Sequence, residues 1–207
     1  MRVLSAAGKI IARPLKGAGE PNAACAEVEK RADDDAEDGQ SVGVLVAAGR
    51  FRLIYLGDLT WNSANSLFCP NNRVGTVDAY LITHHAQSLK KSLGDYYFGL
   101  SCCSIAEVRG LHPRVAFLSM GAEGHAAGDS SAMDVVRASP GLEDLWQTNK
   151  VTAGGEAATN PPDQFIANIG GPPGEQVPFL KMVAGADGSF TVTNSRNGFT
   201  KQYAVRK

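Results

Sequence analysis

Four residues of this chain could hold a metal ion or move a proton: Asp58, His84, His85 and His125. A carboxylate with imidazoles is a donor set that suits Zn²⁺, Mn²⁺ or Fe. Asp58 follows the apolar run Phe51-Arg52-Leu53-Ile54-Tyr55-Leu56-Gly57. His84 and His85 follow the run Val77-Asp78-Ala79-Tyr80-Leu81-Ile82-Thr83. Both runs have the length and residue types of buried strands. If the two are neighbours in one sheet, their C-terminal ends bring carboxylate and imidazole to one rim, where open α/β sheets carry their ligands.

Successive strand residues point to opposite faces, so His84 and His85 are expected to do different jobs. His84, directly at the strand end, is the preferred ligand. His85 is a second ligand or a proton donor. The fourth histidine, His112, stands at the start of the next strand, away from this rim, and reads as structural.

The elements around these residues follow in order. Residues 1–13 form two short strands turning at Ala7-Gly8. Residues 26–40 carry nine charged side chains between Glu27 and Asp38 and read as a mobile acidic loop. Ser41 opens the core: Val42, Val44 and Val46 alternate with small residues, then turn through Gly49-Arg50 into Phe51–Leu56, a hairpin signal. A helix follows from Thr60, with Ala64, Leu67 and Phe68 as its inner face, and ends at Pro70. Tyr96, Tyr97 and Phe98 make an aromatic cluster that reads as packing. Ser101–Leu111 is a helix and Val115–Met120 a strand. Asp129–Val136 is a helix with Asp129 as N-cap and Met133 and Val136 inward. Leu142–Trp146 reads as a further helical turn, and residues 152–176 as a long surface loop. A hairpin, Phe179–Val183 and Ser189–Thr193, and a strand piece at Phe199–Val205 close the chain. Arg196 and Lys201 read as solvated.

The Ser41 strand, the strand ending in Gly57-Asp58 and the strand ending in His84-His85 together resemble the second half of a metallo-β-lactamase-fold hydrolase. The similarity is to the branch that includes the competence-type DNA-uptake proteins. It covers roughly residues 40–125. The resemblance implies an α/β fold: a partial metallo-β-lactamase-like αββα sandwich, a mixed sheet with flanking helices. In that family the Asp bridges two metals and a histidine of the His-His pair binds one of them. This makes Asp58, His84, His85 and His125 metal ligands by analogy, with Asp58 and His85 catalytic. The family's upstream His-x-His-x-Asp-His motif is absent, because no histidine precedes Asp58. Ala86 stands where the family pattern has Gly. The chain thus resembles a truncated form of the fold, residues 1–207 making one domain.

The function expected on these grounds is a metal-dependent hydrolase of phosphoester, lactone or carboxylic ester bonds, using Zn²⁺, or Mn²⁺ or Fe, to activate water. The alternative is a non-catalytic truncated domain acting as a binding or remnant module. A half-sandwich should expose an apolar sheet face, so a homodimer is expected. With 207 residues, a formal net charge of −1 and a pI near 6.4, nucleic acid is not indicated as a partner. A small-molecule ester or phosphoester is. No apolar run reaches the ~18–20 residues of a membrane helix, and no signal peptide is visible at Met1. Cys25, Cys69, Cys102 and Cys103 form no C-x-x-C pair, and read as free thiols in a reducing cytoplasm.

Overall fold

The computed structural model describes residues 1–31, 37–86, 102–120, 130–151, 160–170 and 177–206. Eight strands form one sheet: β1 (Arg2–Ala6), β2 (Lys9–Ile10), β3 (Gly43–Ala48), β4 (Phe51–Tyr55), β5 (Ala79–Leu81), β6 (Val115–Leu118), β7 (Asp144–Asn149) and β8 (Ile166–Asn168). Their order is β2-β1-β3-β4-β5-β6-β7-β8. The first four pair antiparallel, and β4 through β8 run parallel. Three helices accompany them: α1 (Trp61–Phe68), α2 (Ile105–Leu111) and α3 (Ser130–Arg137). A second sheet has the order β11-β10-β9, from β9 (Leu180–Ala184), β10 (Phe190–Asn194) and β11 (Thr200–Tyr203). The architecture is α/β. No helix among the described residues is long and apolar enough to cross a membrane.

Alternation along the strands sorts the core into two layers. Leu45, Ile54, Tyr80, Ala116 and Leu118 face the helices and pack with Leu67, Phe68, Val108, Leu111, Met133 and Val136. Phe51, Ala79, Val115 and Trp146 face the other way and pack with Phe190, Val192 and Tyr203 of the small sheet. Both faces of the parallel strands are therefore covered, as parallel sheets require. The small sheet is clamped down by a chain of bonds. Trp146 Nε1 donates to Tyr203 Oη at 2.9 Å, and Tyr203 Oη donates to Asp144 Oδ2 at 2.7 Å.

The small sheet covers only part of its side. Val3 pairs with Val44 and Val44 with Tyr55, so the three share one face. There Val3 is 52% and Tyr55 42% exposed. This leaves a partly exposed apolar face on the sheet.

Several local readings hold. The turn at Ala7-Gly8, the β3–β4 hairpin, the inner face of α1, the β9–β10 hairpin and the inward Met133 and Val136 all stand as read. Others are corrected. Leu142–Trp146 is no helical turn, because Asp144–Asn149 is strand β7. Leu145 and Trp146 are both apolar because they fill opposite faces of a buried parallel strand, which removes the period-2 signal. The stretch read as a loop over 152–176 contains strand β8, paired with β7. Arg196 is not merely solvated: it donates to the carbonyls of Asp163 and Ile166. Lys201 pairs with Asp144 at 2.5 Å.

The cysteines are not free. Cys25 is bonded to Cys69 and Cys102 to Cys103. The free-thiol argument for a reducing cytoplasm falls with them. At the flanks of the acidic segment, Glu27 pairs with Arg109 at 2.8 Å and the Arg31 guanidinium lies 3.5 Å over the Trp61 ring. Asp33, Asp34 and Asp35 lie outside the described residues, as do Tyr96, Tyr97, Phe98, His125 and the N-cap Asp129.

Candidate metal centre at the sheet rim

Because β4, β5 and β6 are parallel neighbours, the residues following each of them meet at one rim. Asp58 follows β4, His84 and His85 follow β5, and Ser119 follows β6. The antiparallel β3 begins at the same rim and brings Ser41 there. The backbone leading to Asp58 turns through Gly57 at φ +62°. A Cβ on Gly57 would meet Ser41 Cβ at 3.2 Å, so the turn fits tightly under the start of β3. Ser41 Oγ accepts from the Asp58 N–H at 3.2 Å, and the Gly57 carbonyl accepts from the His84 N–H at 3.0 Å. The first ties the Asp58 backbone to the start of β3, and the second ties Gly57 to the histidine turn.

The histidine turn is strained. His84, His85 and Ala86 are all left-handed, with φ of 47°, 52° and 57°. L-residues adopt this region singly at a cost of roughly 1–2 kcal/mol each, and strain of this kind persists where surroundings over-determine it, functional sites above all. What holds the turn lies beneath it. Glu107 is buried and accepts from Tyr80 Oη at 2.7 Å, from Thr83 Oγ1 at 2.7 Å and from the Cys103 N–H at 3.0 Å. Thr83 is the residue directly before His84, so the Glu107 carboxyl anchors the entrance of the turn. Burial pushes the Glu107 carboxyl up from its ordinary value, and the bonds from Thr83 and Tyr80 oppose that. The Tyr80 phenol is pushed well above its ordinary value, by burial first and then by Glu107.

The turn sends the two imidazoles different ways. His85 stands at the mouth: its Nδ1 lies 2.6 Å from the Ser119 carbonyl and its Nε2 lies 3.7 Å from Asp58 Oδ1. The side chains of His85 and Asp58 are 37% and 41% exposed, so solvent reaches both. His84 is turned inward, 7% exposed, and its Nδ1 is buried without a hydrogen-bond partner. The expectation that His84 would be the leading ligand is therefore reordered, with His85 the imidazole that meets Asp58.

A carbonyl can only accept, so the His85 nitrogen beside Ser119 carries a hydrogen. In the neutral ring the other nitrogen, Nε2, is then a bare lone pair facing a carboxylate oxygen. This is the usual outer support of a metal-ligating histidine, one nitrogen bonded to a backbone carbonyl and the other presented outward. Two ligands of one tetrahedral ion, each about 2.0–2.2 Å from it, stand roughly 3.4 Å apart, close to the separation here. Asp58 and His85 thus fit a divalent ion as two of its donors. Among the described residues no group of three His, Cys, Asp or Glu is assembled for a metal.

Sequence reasoning found Asp58, His84 and His85 but missed Glu107, Tyr80, Thr83 and the Ser119 carbonyl. Glu107 had a signal. Ser104-x-x-Glu107 has capping-box spacing, and Ser104 Oγ does accept from the Glu107 N–H at 3.0 Å. The backbone carbonyl of Ser119 had none. Set against protein-family models, curated proteins and solved structures, the chain matches none of them.

Proposed function

We propose that this protein is a metal-dependent hydrolase acting on phosphoester, lactone or carboxylic ester bonds, on a partial metallo-β-lactamase-like αββα sandwich. The observation that carries the reading is the face-to-face placement of Asp58 Oδ1 and His85 Nε2 at 3.7 Å, with the other imidazole nitrogen committed to Ser119. A cation between a bare Nε2 and the Asp58 carboxylate would satisfy both donors; a proton on Nε2 would satisfy them without a metal.

Asp58 and His85 would hold Zn²⁺, or Mn²⁺ or Fe, which supplies Lewis-acid activation of water at neutral pH. The chain's own residues do the rest. Ser41 and Gly57 fix the Asp58 backbone. The Ser119 carbonyl fixes the tautomer and plane of His85. Glu107, through Thr83, holds the turn that carries both histidines. His84 offers a buried imidazole at the base of the rim, its Nδ1 without a hydrogen-bond partner.

We also propose that a second copy of the chain covers the Val3–Val44–Tyr55 face. A homodimer by light scattering at micromolar concentration supports this, and a monomer removes it.

The test of the activity is hydrolysis of an aryl phosphodiester, an aryl acetate and an acyl lactone, each with added Zn²⁺ or Mn²⁺ and with chelator. The proposal expects turnover of at least one, abolished by chelator and reduced at least ~100-fold in Asp58→Asn and His85→Gln while both stay folded. Equal activity in both variants would sink the site. Absence of turnover together with absence of metal binding would leave the non-catalytic binding module as the reading.

A further inference from the structure

At the opposite end of the sheet from Asp58 and His85, where β4 and β5 begin, the surface is indented by a cleft of about 190 Å³. It is lined by three arginines, Arg50, Arg52 and Arg206, together with Thr76, Asp78 and Asp187. Arg50 comes from the β3–β4 turn, Arg52 from β4, Arg206 from the end of the chain and Asp187 from the β9–β10 turn. The turns are tied together: the Arg50 N–H donates to the Ala186 carbonyl at 2.9 Å. The cleft is therefore built by distant parts of the chain.

Its two carboxylates offset part of the arginines' positive charge: Asp78 acts on Arg52 and Arg206, and Asp187 on Arg50. Asp78 Oδ2 accepts from the Arg52 backbone N–H at 2.9 Å, and its Oδ1 lies 3.9 Å from Arg114, a further guanidinium behind the wall. Asp187 Oδ1 accepts from both the N–H and the hydroxyl of Ser189, at 3.0 and 2.7 Å. The guanidiniums are less fully used. Arg52 Nη2 donates to the Val74 carbonyl at 2.5 Å, but its Nε is buried and has no partner. Arg206 Nη2 donates to the carbonyls of Val77 and His112 at 3.0 and 2.8 Å. Burial lowers the pKa of both Arg52 and Arg206, with Asp78 opposing it. Two half-buried cations thus hold spare donors, and three positive groups in the walls face two negative ones. The buried Arg52 Nε faces away from solvent, so the guanidinium edges that reach the cleft are the donors that count: a fixed fork of N–H groups matches the oxygens of phosphate.

We propose that this cleft is a binding site for a phosphate group, carried by inorganic phosphate or by a small phosphomonoester, with Arg50, Arg52 and Arg206 as its donors. The volume lies below the ~300–1,000 Å³ of pockets for drug-sized ligands and suits an ion or a small head group. The cleft is separate from the Asp58–His85 rim and does not depend on the activity proposed there.

Isothermal titration of the full chain with inorganic phosphate and with glycerol phosphate, at constant ionic strength set by chloride, tests this. The expected result is saturable binding at one site per chain, weakened at least ~10-fold in Arg50→Ala and in Arg206→Gln and unchanged in Arg2→Ala, which removes an exposed cation elsewhere. Arg50 is exposed, so its removal leaves the fold in place, and unchanged melting of that variant verifies it. Tighter binding of glycerol phosphate assigns the cleft to a phosphomonoester, and tighter binding of inorganic phosphate to the free ion. No saturable binding at millimolar phosphate, or equal binding by Arg50→Ala, would overturn the proposal.

Discussion

His85 Nε2 stands 3.7 Å from Asp58 Oδ1 while Nδ1 of the same ring lies 2.6 Å from the Ser119 carbonyl. The imidazole is thus held between three consecutive parallel strands: it follows β5, its support follows β6 and its partner follows β4. Rotation of the ring would break the Ser119 contact. Ser41, the Gly57 carbonyl, Glu107 through Thr83 and the Ser119 carbonyl keep these groups in register.

Gly57→Ala should damage the site more than the fold. The φ of +62° is unfavourable for alanine and the new Cβ would press on Ser41. A stability loss of about 1–2 kcal/mol is expected, measured by urea unfolding. Metal affinity should fall by at least ~10-fold, because the neighbouring Asp58 moves. Unaltered affinity at reduced stability would detach Gly57 from the site.

Glu107 should make stability depend on pH in a direction set by its burial. Its folded pKa is raised above the ordinary value of 4.5, so the unfolded chain releases this proton at lower pH than the folded chain does. Its contribution is fully present below the ordinary value and is lost as pH rises through the window up to the raised one. Glu107→Gln removes that titration. Urea unfolding of both proteins at pH 4 and pH 7 should show the stability difference, variant minus wild type, growing with pH. A constant difference would contradict the account.

The bond between Cys25 and Cys69 closes a loop with a sequence separation of 44. Chain-entropy reasoning gives about 4 kcal/mol for a loop of this length, and measured losses usually run about 2–5 kcal/mol. A Cys25→Ser, Cys69→Ser double variant should unfold at correspondingly lower denaturant. Thiol titration of the native protein should find no free cysteine, and four titrating thiols would contradict the pairing.

Tyr203→Phe should loosen the small sheet. Its hydroxyl takes the Trp146 indole hydrogen and gives its own to Asp144, so the variant strands a buried N–H. A loss of about 1–3 kcal/mol follows, read by thermal or urea unfolding. An unchanged midpoint would show that the clamp adds nothing.

How much of this was readable in advance follows from the physics of each element. The β3–β4 hairpin was legible because Gly49 marks a turn between two apolar runs, but the valine face read as opening the core is the exposed one: Val42 and Val46 face solvent and Leu45 fills the core. That the ends of β4 and β5 share one rim was legible from the two apolar runs ending in Gly57-Asp58 and Thr83-His84-His85. Strand β7 was not, because burial on two faces makes Leu145 and Trp146 adjacent apolar residues, a pattern shared with a short helix. That His85 rather than His84 stands beside Asp58 was not legible, because strand alternation does not extend into a left-handed turn: both residues lie past the last β5 residue, Leu81. Ser119 could not be read at all, since it acts through its backbone carbonyl. The cysteine pairing was missed because Cys25 and Cys69 are brought together only when the segment before Val28 packs on α1 and α2.

The measurement that bears most directly on the central claim is the metal content of the purified protein after equilibration with Zn²⁺ and removal of excess. Wild type, Asp58→Asn and His85→Gln would be read side by side by elemental analysis, with circular dichroism to verify folding. The account predicts about one Zn²⁺ per wild-type chain and at least ~10-fold weaker retention in each variant. No bound metal in wild type, or equal retention in all three, would contradict it.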